Sequence, residues 1–184
     1  MPGPLHAVIS DIVMPRMSGF ELVARLRQRH PRLAIVLVSG YAERYSSDAR
    51  PLPPEAQRLA KRINAVAGNA WVYHFTRVRE DAVARGELGA YHGAEYPYIF
   101  GTHDSYMTTT DTDLALEEIM QSYWVNFAST GDPNTDETPR WPLFAGDSPM
   151  VQELGDSVAR KPAPEPELCA LFEAWHAENH SATN

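Results

Sequence analysis

Apolar residues recur along the chain with two different periods, and these periods predict its secondary structure. Short continuous apolar runs, LHAVIS at 5–10 and LAIVLVSG at 33–40, are typical of strands buried in a parallel sheet. The segment SGFELVARLRQRH between them has the 3.6-residue period of an amphipathic helix, with Ser18 and Glu21 at the spacing of a capping box. The first part of the chain therefore predicts a strand, a helix and a strand.

A junction separates this part from a second predicted helix and a third strand. Residues 44–54 are polar and include three prolines, a composition that favours loops. Beyond them EAQRLAKRINAVAG predicts a helix that ends at Gly68, and AWVYHFTR predicts a strand. We expect two segments, 1–52 and 53–184. We also expect an α/β fold with a short parallel sheet, in the order strand, helix, strand, helix, strand, built with right-handed crossovers.

The remaining residues predict a mainly helical C-terminal part. The helix predicted from Thr112 to Ser129 has an apolar stripe that is typical of core packing rather than of a cofactor site. Its members are Leu116, Met120, Tyr123 and Phe127. The loop STGDPNTDETPRWPLF is dense in turn formers, and a final helix is predicted from its periodic apolar residues. These are Leu168, Leu171, Phe172 and Trp175.

Composition excludes several classes of protein. The formal net charge is -8 and the basic residues are scattered, so nucleic acid is not an expected partner. The single cysteine, Cys169, leaves no internal disulfide, and the first ten residues lack the pattern of a signal peptide. No apolar run approaches the roughly 20 residues that span a bilayer. We expect a cytoplasmic chain that does not contact a membrane and that holds no metal or cofactor.

Part of the first segment is similar to a known signalling family. SDIVMPRMSGFELVARLR followed by IVLVSGYAE resembles the middle of a response-regulator receiver domain. The resemblance implies that Asp11 is the phosphoacceptor and that Ser39 contacts the phosphate. Receivers also need an acidic pair that holds a divalent cation, and these 184 residues contain no match to it. We therefore expect Asp11 to be an inherited turn carboxylate that is not phosphorylated.

The second segment resembles the C-terminal portion of the type B carboxylesterases, which include the cholinesterases. The similar motifs are AWVYHFTR, GAYHGAEYPYIFG, YWVNFASTGDPN and WPLF, in the family's order. The resemblance implies an α/β-hydrolase fold, hydrolysis of carboxylic esters, and His92 as the catalytic base. Glu95 is expected to support the histidine loop. His74 and His103 are expected to pack or to lie at the surface.

The nucleophile that this base requires has no match in the sequence. An α/β-hydrolase carries its serine in a G-x-S-x-G elbow, and neither Ser39, Ser129 nor Ser148 lies in such a pentapeptide. One arrangement would still bring a triad together. If the three predicted strands share one sheet, Asp11, Ser39 and His92 all follow carboxyl ends of strands and could line one crevice.

The function that the carboxylesterase resemblance predicts is therefore ester hydrolysis, and we expect weak or no activity in the isolated chain. The substrates would be small carboxylic esters. Two alternatives belong to other classes: a receiver-type signalling fragment with a phosphoacceptor, and a non-catalytic cholinesterase-like interaction module. Because the predicted strands lack neighbours on both edges, we also expect self-association.

Overall fold

The computed structural model describes most of the chain between residues 7 and 174. The described residues are 7–11, 16–17, 19–30, 33–38, 57–58, 60–61, 63–64, 69–80, 89–91, 93–103, 105, 108–146, 148–163, 167, 170 and 174. Among them, no helix combines the length and the apolar character needed to cross a membrane.

The first unit is a two-stranded parallel sheet with one connecting helix. Strand β1 (Ala7–Asp11) pairs with β2 (Ala34–Val38), and helix α1 (Gly19–Arg29) joins them. The register places Asp11 opposite Val38, so the carboxyl ends of both strands lie at one edge. Helix α1 carries an acid in its first turn and two arginines in its last, which suits the helix dipole. The predicted strand, helix and strand are confirmed, while the N-cap proposed at Ser18 lies outside the described residues.

A helical segment follows the junction, as predicted. Its described residues 57–58, 60–61 and 63–64 are helical, and the predicted end at Gly68 lies outside the described residues. The side chain of Asn64 accepts a hydrogen bond from the Ala70 N–H at 2.7 Å and donates to the carbonyl of Phe144. This asparagine therefore joins the segment to the next strand and to the loop that precedes β4.

The second sheet has three strands, and its order corrects the prediction. Strand β3 (Tyr73–Phe75) runs parallel to β4 (Met150–Leu154), which pairs antiparallel with β5 (Val158–Pro162). Within the described residues β3 pairs with β4 and not with β2. The expectation of one parallel sheet containing the first three predicted strands is therefore wrong. The C-terminal part is helical from Asp111 to Thr130, as predicted, but the prediction did not include β4 and β5, which both lie there.

Two helices pack on this sheet. Helix α2 (Tyr96–Phe100) is short and ends at Gly101, whose φ of 62° is left-handed. Helix α3 (Asp111–Thr130) is the long helix predicted from Thr112 to Ser129, and it ends at Gly131 with a φ of 81°. In each helix, the N–H of the glycine or of the residue after it donates a hydrogen bond to a carbonyl near the helix end. This is a common way to terminate a helix. Only residues 167, 170 and 174 of the predicted final helix are described, and all are helical.

Most of the buried apolar residues that the structure describes form two clusters, one on each face of the second sheet. Alternation along β3 and β4 sends side chains to opposite faces. The larger cluster contains eight buried residues and lies under α2 and α3. Its members are Tyr98, Ile99, Leu116, Met120, Tyr123, Trp124, Trp141 and Leu154. The smaller cluster contains Ala60, Ala70, Val72, Phe144 and Val151. Val36 of β2 packs against the larger cluster, so the receiver-like unit contacts the core of the rest of the chain.

Candidate active site and its buried charge network

The loop that contains His92 is shaped by a tight turn. The Tyr91 N–H donates to the Gly89 carbonyl at 2.7 Å, and the Ala94 N–H donates to the Tyr91 carbonyl at 3.0 Å. Gly93 has a φ of 88°, a conformation that glycine adopts without steric cost. A positive φ at the third residue of a four-residue turn is a common reason for glycine. His92 itself lies outside the described residues, so the structure gives the frame of its loop and not its side chain.

The loop is joined to β3 by a partly buried tyrosine–glutamate contact. Glu95 is 4% exposed, and its Oε1 accepts a hydrogen bond from the Tyr73 hydroxyl at 3.4 Å. Burial and the nearby Glu95 carboxylate raise the pKa of the Tyr73 hydroxyl well above its ordinary value. The tyrosine is therefore held as a neutral donor. The prediction that Glu95 supports the loop agrees with this contact.

A buried carboxylate, Asp113, holds α2, α3 and the end of β3 together. Its Oδ1 accepts from Arg77 Nε at 2.8 Å and from the Tyr98 hydroxyl at 2.6 Å, and its Oδ2 accepts from the N–H and hydroxyl of Thr110 at 2.8 and 2.7 Å. Burial acts to raise the pKa of Asp113, but these hydrogen bonds outweigh it and hold the pKa well below its ordinary value. We call Asp113, Arg77, Tyr98 and Thr110 the Asp113 network. The carboxylate oxygens of Asp113 accept hydrogen bonds from the other three members of this network. Asp113 is therefore not suited to act as a general base.

Arg77 connects the Asp113 network to two surface carboxylates. Its side chain is 3% exposed, and it donates to Glu80 at 2.8 and 3.0 Å and to Asp156 at 2.8 Å. Although burial opposes the charge, the hydrogen bonds that Arg77 donates to Asp113, Glu80 and Asp156 raise the pKa of the guanidinium. Glu80 and Asp156 are 59% and 80% exposed. The buried arginine is thus neutralised mainly by Asp113, the one partner that water cannot replace.

His103 lies beside this network, between Arg79 and Glu117. Its Nδ1 is 2.9 Å from Arg79 Nη2, and its Nε2 is 2.7 Å from Glu117 Oε2. Because arginine only donates, Nδ1 must accept, which leaves the proton on Nε2 facing Glu117. The ring also meets Tyr98 edge-on at 4.9 Å between centroids. Nδ1 accepts a hydrogen bond, whereas the buried Nε2 lies at ion-pair distance from Glu117 without forming a hydrogen bond, so His103 is packed between these two side chains, as predicted.

The described residues do not test the predicted triad of Asp11, Ser39 and His92. Ser39 and His92 lie outside the described residues, and only the backbone of Asp11 is described, at the end of β1. The proposed crevice required β3 to join the sheet of β1 and β2, and β3 instead pairs with β4. The geometric argument for that triad is therefore lost. Two other serines are placed: Ser129 donates to the Val125 carbonyl at 2.8 Å within α3, and Ser148 is exposed.

No cluster of three or more metal-ligating side chains occurs among the residues described. The sequence contains one histidine pair at four-residue spacing, His176 and His180. Both lie outside the described residues. The expectation that the chain holds no metal therefore stays a prediction.

Sequence reasoning missed the Asp113 network, although one signal was present. Thr110 and Asp113 have the capping-box spacing, and the structure shows both reciprocal hydrogen bonds of that motif. The spacing indicates the start of α3 but not the second role of Asp113. That role depends on Arg77 and Tyr98, which are 36 and 15 positions away.

Comparison with known proteins defines the class of this chain. A model of the carboxylesterase family matches residues 52–171, and a model of the response regulator receiver domain matches residues 3–50. The chain belongs to the carboxylesterase family, and it carries a receiver-domain fragment before the family segment. The resemblances identified from the motifs are confirmed.

Individual relatives share only part of their length with this chain. Phenmedipham hydrolase of Pseudarthrobacter oxydans is 35% identical over 81 residues, covering 40% of this chain and 16% of the hydrolase. Acetylcholinesterase of Bungarus fasciatus is 27% identical over 139 residues, covering 73% of this chain and 22% of that enzyme. The sensor kinase CckA of Brucella abortus (strain 2308) is 46% identical over 55 residues, covering 30% of this chain and 6% of the kinase. The chain thus spans less than a quarter of each of these relatives.

Proposed function

We propose that this chain contributes a general base, His92, to the hydrolysis of small carboxylic esters. The observation that carries the proposal is the construction of the loop around this residue. A glycine turn precedes α2, and α2 is joined to β3 through Glu95 and to α3 through the contact of Tyr98 with Asp113. These two attachments hold the described residues just after the histidine, and a base must be held within hydrogen-bond reach of its nucleophile. Membership of the carboxylesterase family supports the same role.

The proposed chemistry is acyl transfer in two steps. His92 takes the proton of a serine hydroxyl as that oxygen attacks the ester carbonyl, and it then gives the proton to the departing alkoxide. Water hydrolyses the acyl-serine with the same histidine as base. Since the 184 residues contain no G-x-S-x-G pentapeptide, the serine is not part of this sequence. We therefore expect the isolated chain to be a weak esterase.

The test is hydrolysis of p-nitrophenyl acetate by the full chain. We expect no burst and a rate no more than about tenfold above free imidazole at the same histidine concentration, because the preorganised hydroxyl and oxyanion donors are missing. Any excess over imidazole should vanish in His92→Ala and persist in His30→Ala, a control at an exposed histidine.

Two results would contradict this account. An excess rate that survives His92→Ala would remove His92 as the base. A stoichiometric burst of acyl-enzyme would show that the chain supplies its own nucleophile, and its loss in Ser39→Ala would favour the triad of Asp11, Ser39 and His92.

The receiver fragment supports a second candidate function, acceptance of a phosphoryl group on Asp11. The observation that favours it is the match to residues 3–50 together with the position of Asp11 at the carboxyl end of β1. Acetyl phosphate with millimolar Mg²⁺ and intact-mass measurement test it. We expect no adduct. A mass increase of one phosphate that requires Mg²⁺ and disappears in Asp11→Asn would establish the signalling function instead.

A further inference from the structure

The imidazole of His103 lies between two side chains of opposite charge. Its Nδ1 is 2.9 Å from Nη2 of Arg79, and its Nε2 is 2.7 Å from Oε2 of Glu117. The side chains of His103 and Arg79 are 11% and 9% exposed, so salt and water screen these contacts only weakly. Histidine is the side chain whose charge ordinarily changes between about pH 5 and pH 8. A group that can change its charge is therefore in contact with a cation on one side and an anion on the other.

Three parts of the fold meet at this imidazole. Arg79 comes from the chain after β3, His103 follows α2, and Glu117 lies on α3. Among the described residues, two further titratable groups face the site. Tyr98 of α2 meets the imidazole edge-on at 4.9 Å between ring centroids, and Asp113 of α3 lies 4.0 Å from Nε of Arg79. The tyrosine hydroxyl donates to this aspartate, so these two groups are already paired with each other.

The hydrogen bond with Arg79 fixes where a second proton can bind. Because a guanidinium only donates, Nδ1 of His103 is the acceptor and the single proton of the neutral ring is on Nε2. A second proton can therefore bind only to the lone pair of Nδ1, which Arg79 occupies. An N–H at that position would face an N–H of the guanidinium, with one positive charge against another. Protonation of His103 and its contact with Arg79 exclude each other.

The contact with Glu117 changes in the opposite direction. In the neutral ring Nε2 lies at ion-pair distance from the carboxylate without the alignment of a hydrogen bond. The positive charge of an imidazolium is shared by both nitrogens, so its attraction to a carboxylate does not require that alignment. Oε1 of Glu117 accepts from Nε2 of Gln121 at 3.3 Å, which holds the carboxylate beside the ring. Arg79 thus favours the neutral ring, and Glu117 favours the charged one.

We propose that His103 is a pH-dependent switch that exchanges its partners: the neutral ring binds Arg79, and the protonated ring releases Arg79 and forms an ion pair with Glu117. Arg79 also donates to the hydroxyl of Thr109, just before α3, so its release loosens the chain after β3 from the connection between α2 and α3. The contact of that connection with α3 is strengthened at the same time. This inference does not depend on the proposed esterase function, because no step of it involves the proposed base.

Nuclear magnetic resonance of the full chain tests the exchange directly. The ring ¹⁵N shifts of His103 should report the Nε2–H tautomer at about pH 8 and the imidazolium at about pH 5, whereas the exposed His30 should show no fixed tautomer. Hydrogen exchange of the Arg79 guanidinium is measured relative to the exposed Arg140, which cancels the intrinsic effect of pH. This relative protection should fall at least about tenfold from pH 8 to pH 5. His103→Gln keeps an acceptor that does not titrate, so the protection should not fall in that variant.

Double-mutant cycles from urea unfolding measure each contact by itself. The cycle of His103→Phe with Arg79→Met should show a favourable coupling of at least about fivefold in the folding equilibrium constant at pH 8, and this coupling should disappear at pH 5. The cycle of His103→Phe with Glu117→Gln should show a coupling that grows at least about fivefold over the same change. Glu118→Gln is the matched control, since Glu118 is an exposed neighbour on α3 and should show no coupling.

Several results would overturn the switch. One is a proton on Nδ1 of His103 at pH 8, because Arg79 could not then donate to it. Another is a ring that stays neutral at pH 5, or a relative protection of Arg79 that is the same at both pH values. Couplings that do not change with pH would have the same meaning. The resonance measurements use the wild-type chain, so they decide the question even if a variant does not fold.

Discussion

Replacing Asp113 with asparagine should destabilise the chain strongly. The effect should be larger than that of replacing any other carboxylate in or beside the Asp113 network with its neutral amide. The carboxylate is 0% exposed and compensates Arg77, whose side chain is 3% exposed. Asparagine keeps the size of the side chain but removes its charge. An NH2 group replaces one of the two carboxylate oxygens, and this group cannot accept the hydrogen bonds that the oxygen accepted. The guanidinium would then stay buried with only two surface carboxylates as partners.

The expected size follows from this burial. Removing one partner of a buried ion pair costs about 3–5 kcal/mol, because the remaining charge is left uncompensated. Domains are stable by only about 5–15 kcal/mol, so the variant should be close to the limit of folding. For a chain of this size each kcal/mol shifts the melting temperature by about 2–4 °C, which predicts a decrease of about 6–20 °C.

Thermal and urea unfolding followed by circular dichroism measure the effect. Glu80→Gln and Asp156→Asn are the matched controls, since they remove the charges of the other two partners of Arg77. These partners are 59% and 80% exposed, and exposed ion pairs contribute about 1 kcal/mol or less. The double variant Arg77→Met with Asp113→Leu removes both charges together and should recover much of the lost stability. If Asp113→Asn is no more destabilising than Glu80→Gln, the reasoning from burial is refuted.

The same carboxylate predicts a pH dependence with a defined sign. The pKa of Asp113 is lowered in the folded chain, so its contribution to stability is present above the ordinary aspartate pKa of about 3.9. That contribution is lost as the pH falls through the lower folded-state pKa. The wild-type chain should therefore lose stability steeply below about pH 4, and the difference from Asp113→Asn should narrow there. If the difference in stability between the wild-type chain and Asp113→Asn is the same at pH 7 and in the acid range, the lowered pKa of Asp113 is contradicted.

Two further changes test the packing of the second sheet. A Cβ on Gly155 would lie 2.2 Å from Thr76 Oγ1, so Gly155→Ala should lower the free energy of unfolding by about 1–3 kcal/mol, and Thr76→Ala in the same chain should restore much of it in urea titrations. Trp141 donates from Nε1 to the Val72 carbonyl at 3.0 Å. The same carbonyl also accepts the Gln152 N–H at 3.0 Å, so Trp141→Phe removes one of its two hydrogen bonds and should cost about 0.5–1.5 kcal/mol in urea titrations; a stability equal to wild type would show that the indole hydrogen bond contributes nothing.

Local sequence determined the elements that depend on neighbouring residues. The apolar runs at 34–38 and the helical periods at 19–29 and 111–130 specify their own conformations, because side-chain direction alternates with period 2 in strands and 3.6 in helices. The glycines at 101 and 131 mark helix ends for a similarly local reason, since a left-handed residue favours glycine. Motifs also identified both families, which the family matches confirm.

Tertiary structure decided which strands pair. The sequence of β3 is compatible with either sheet, since an apolar strand of three residues carries no information about its neighbour. The residues of β4 and β5 were not predicted as strands, because MVQEL and VARKP mix apolar and charged side chains. Burial of Leu154 in the larger cluster, burial of Gln152, and the backbone hydrogen bonds of β4 to β3 stabilise these residues as a strand.

The surroundings of the histidine were likewise beyond local reasoning. The sequence indicates His92 and Glu95 through their motif, but the partner of Glu95 lies 22 positions earlier on β3. Asp113 looks like a helix cap in the sequence, and it becomes the compensating charge of a buried arginine only when β3, α2 and α3 pack together. Capping depends on residues three apart, whereas compensation of a buried charge depends on which distant groups the fold removes from water.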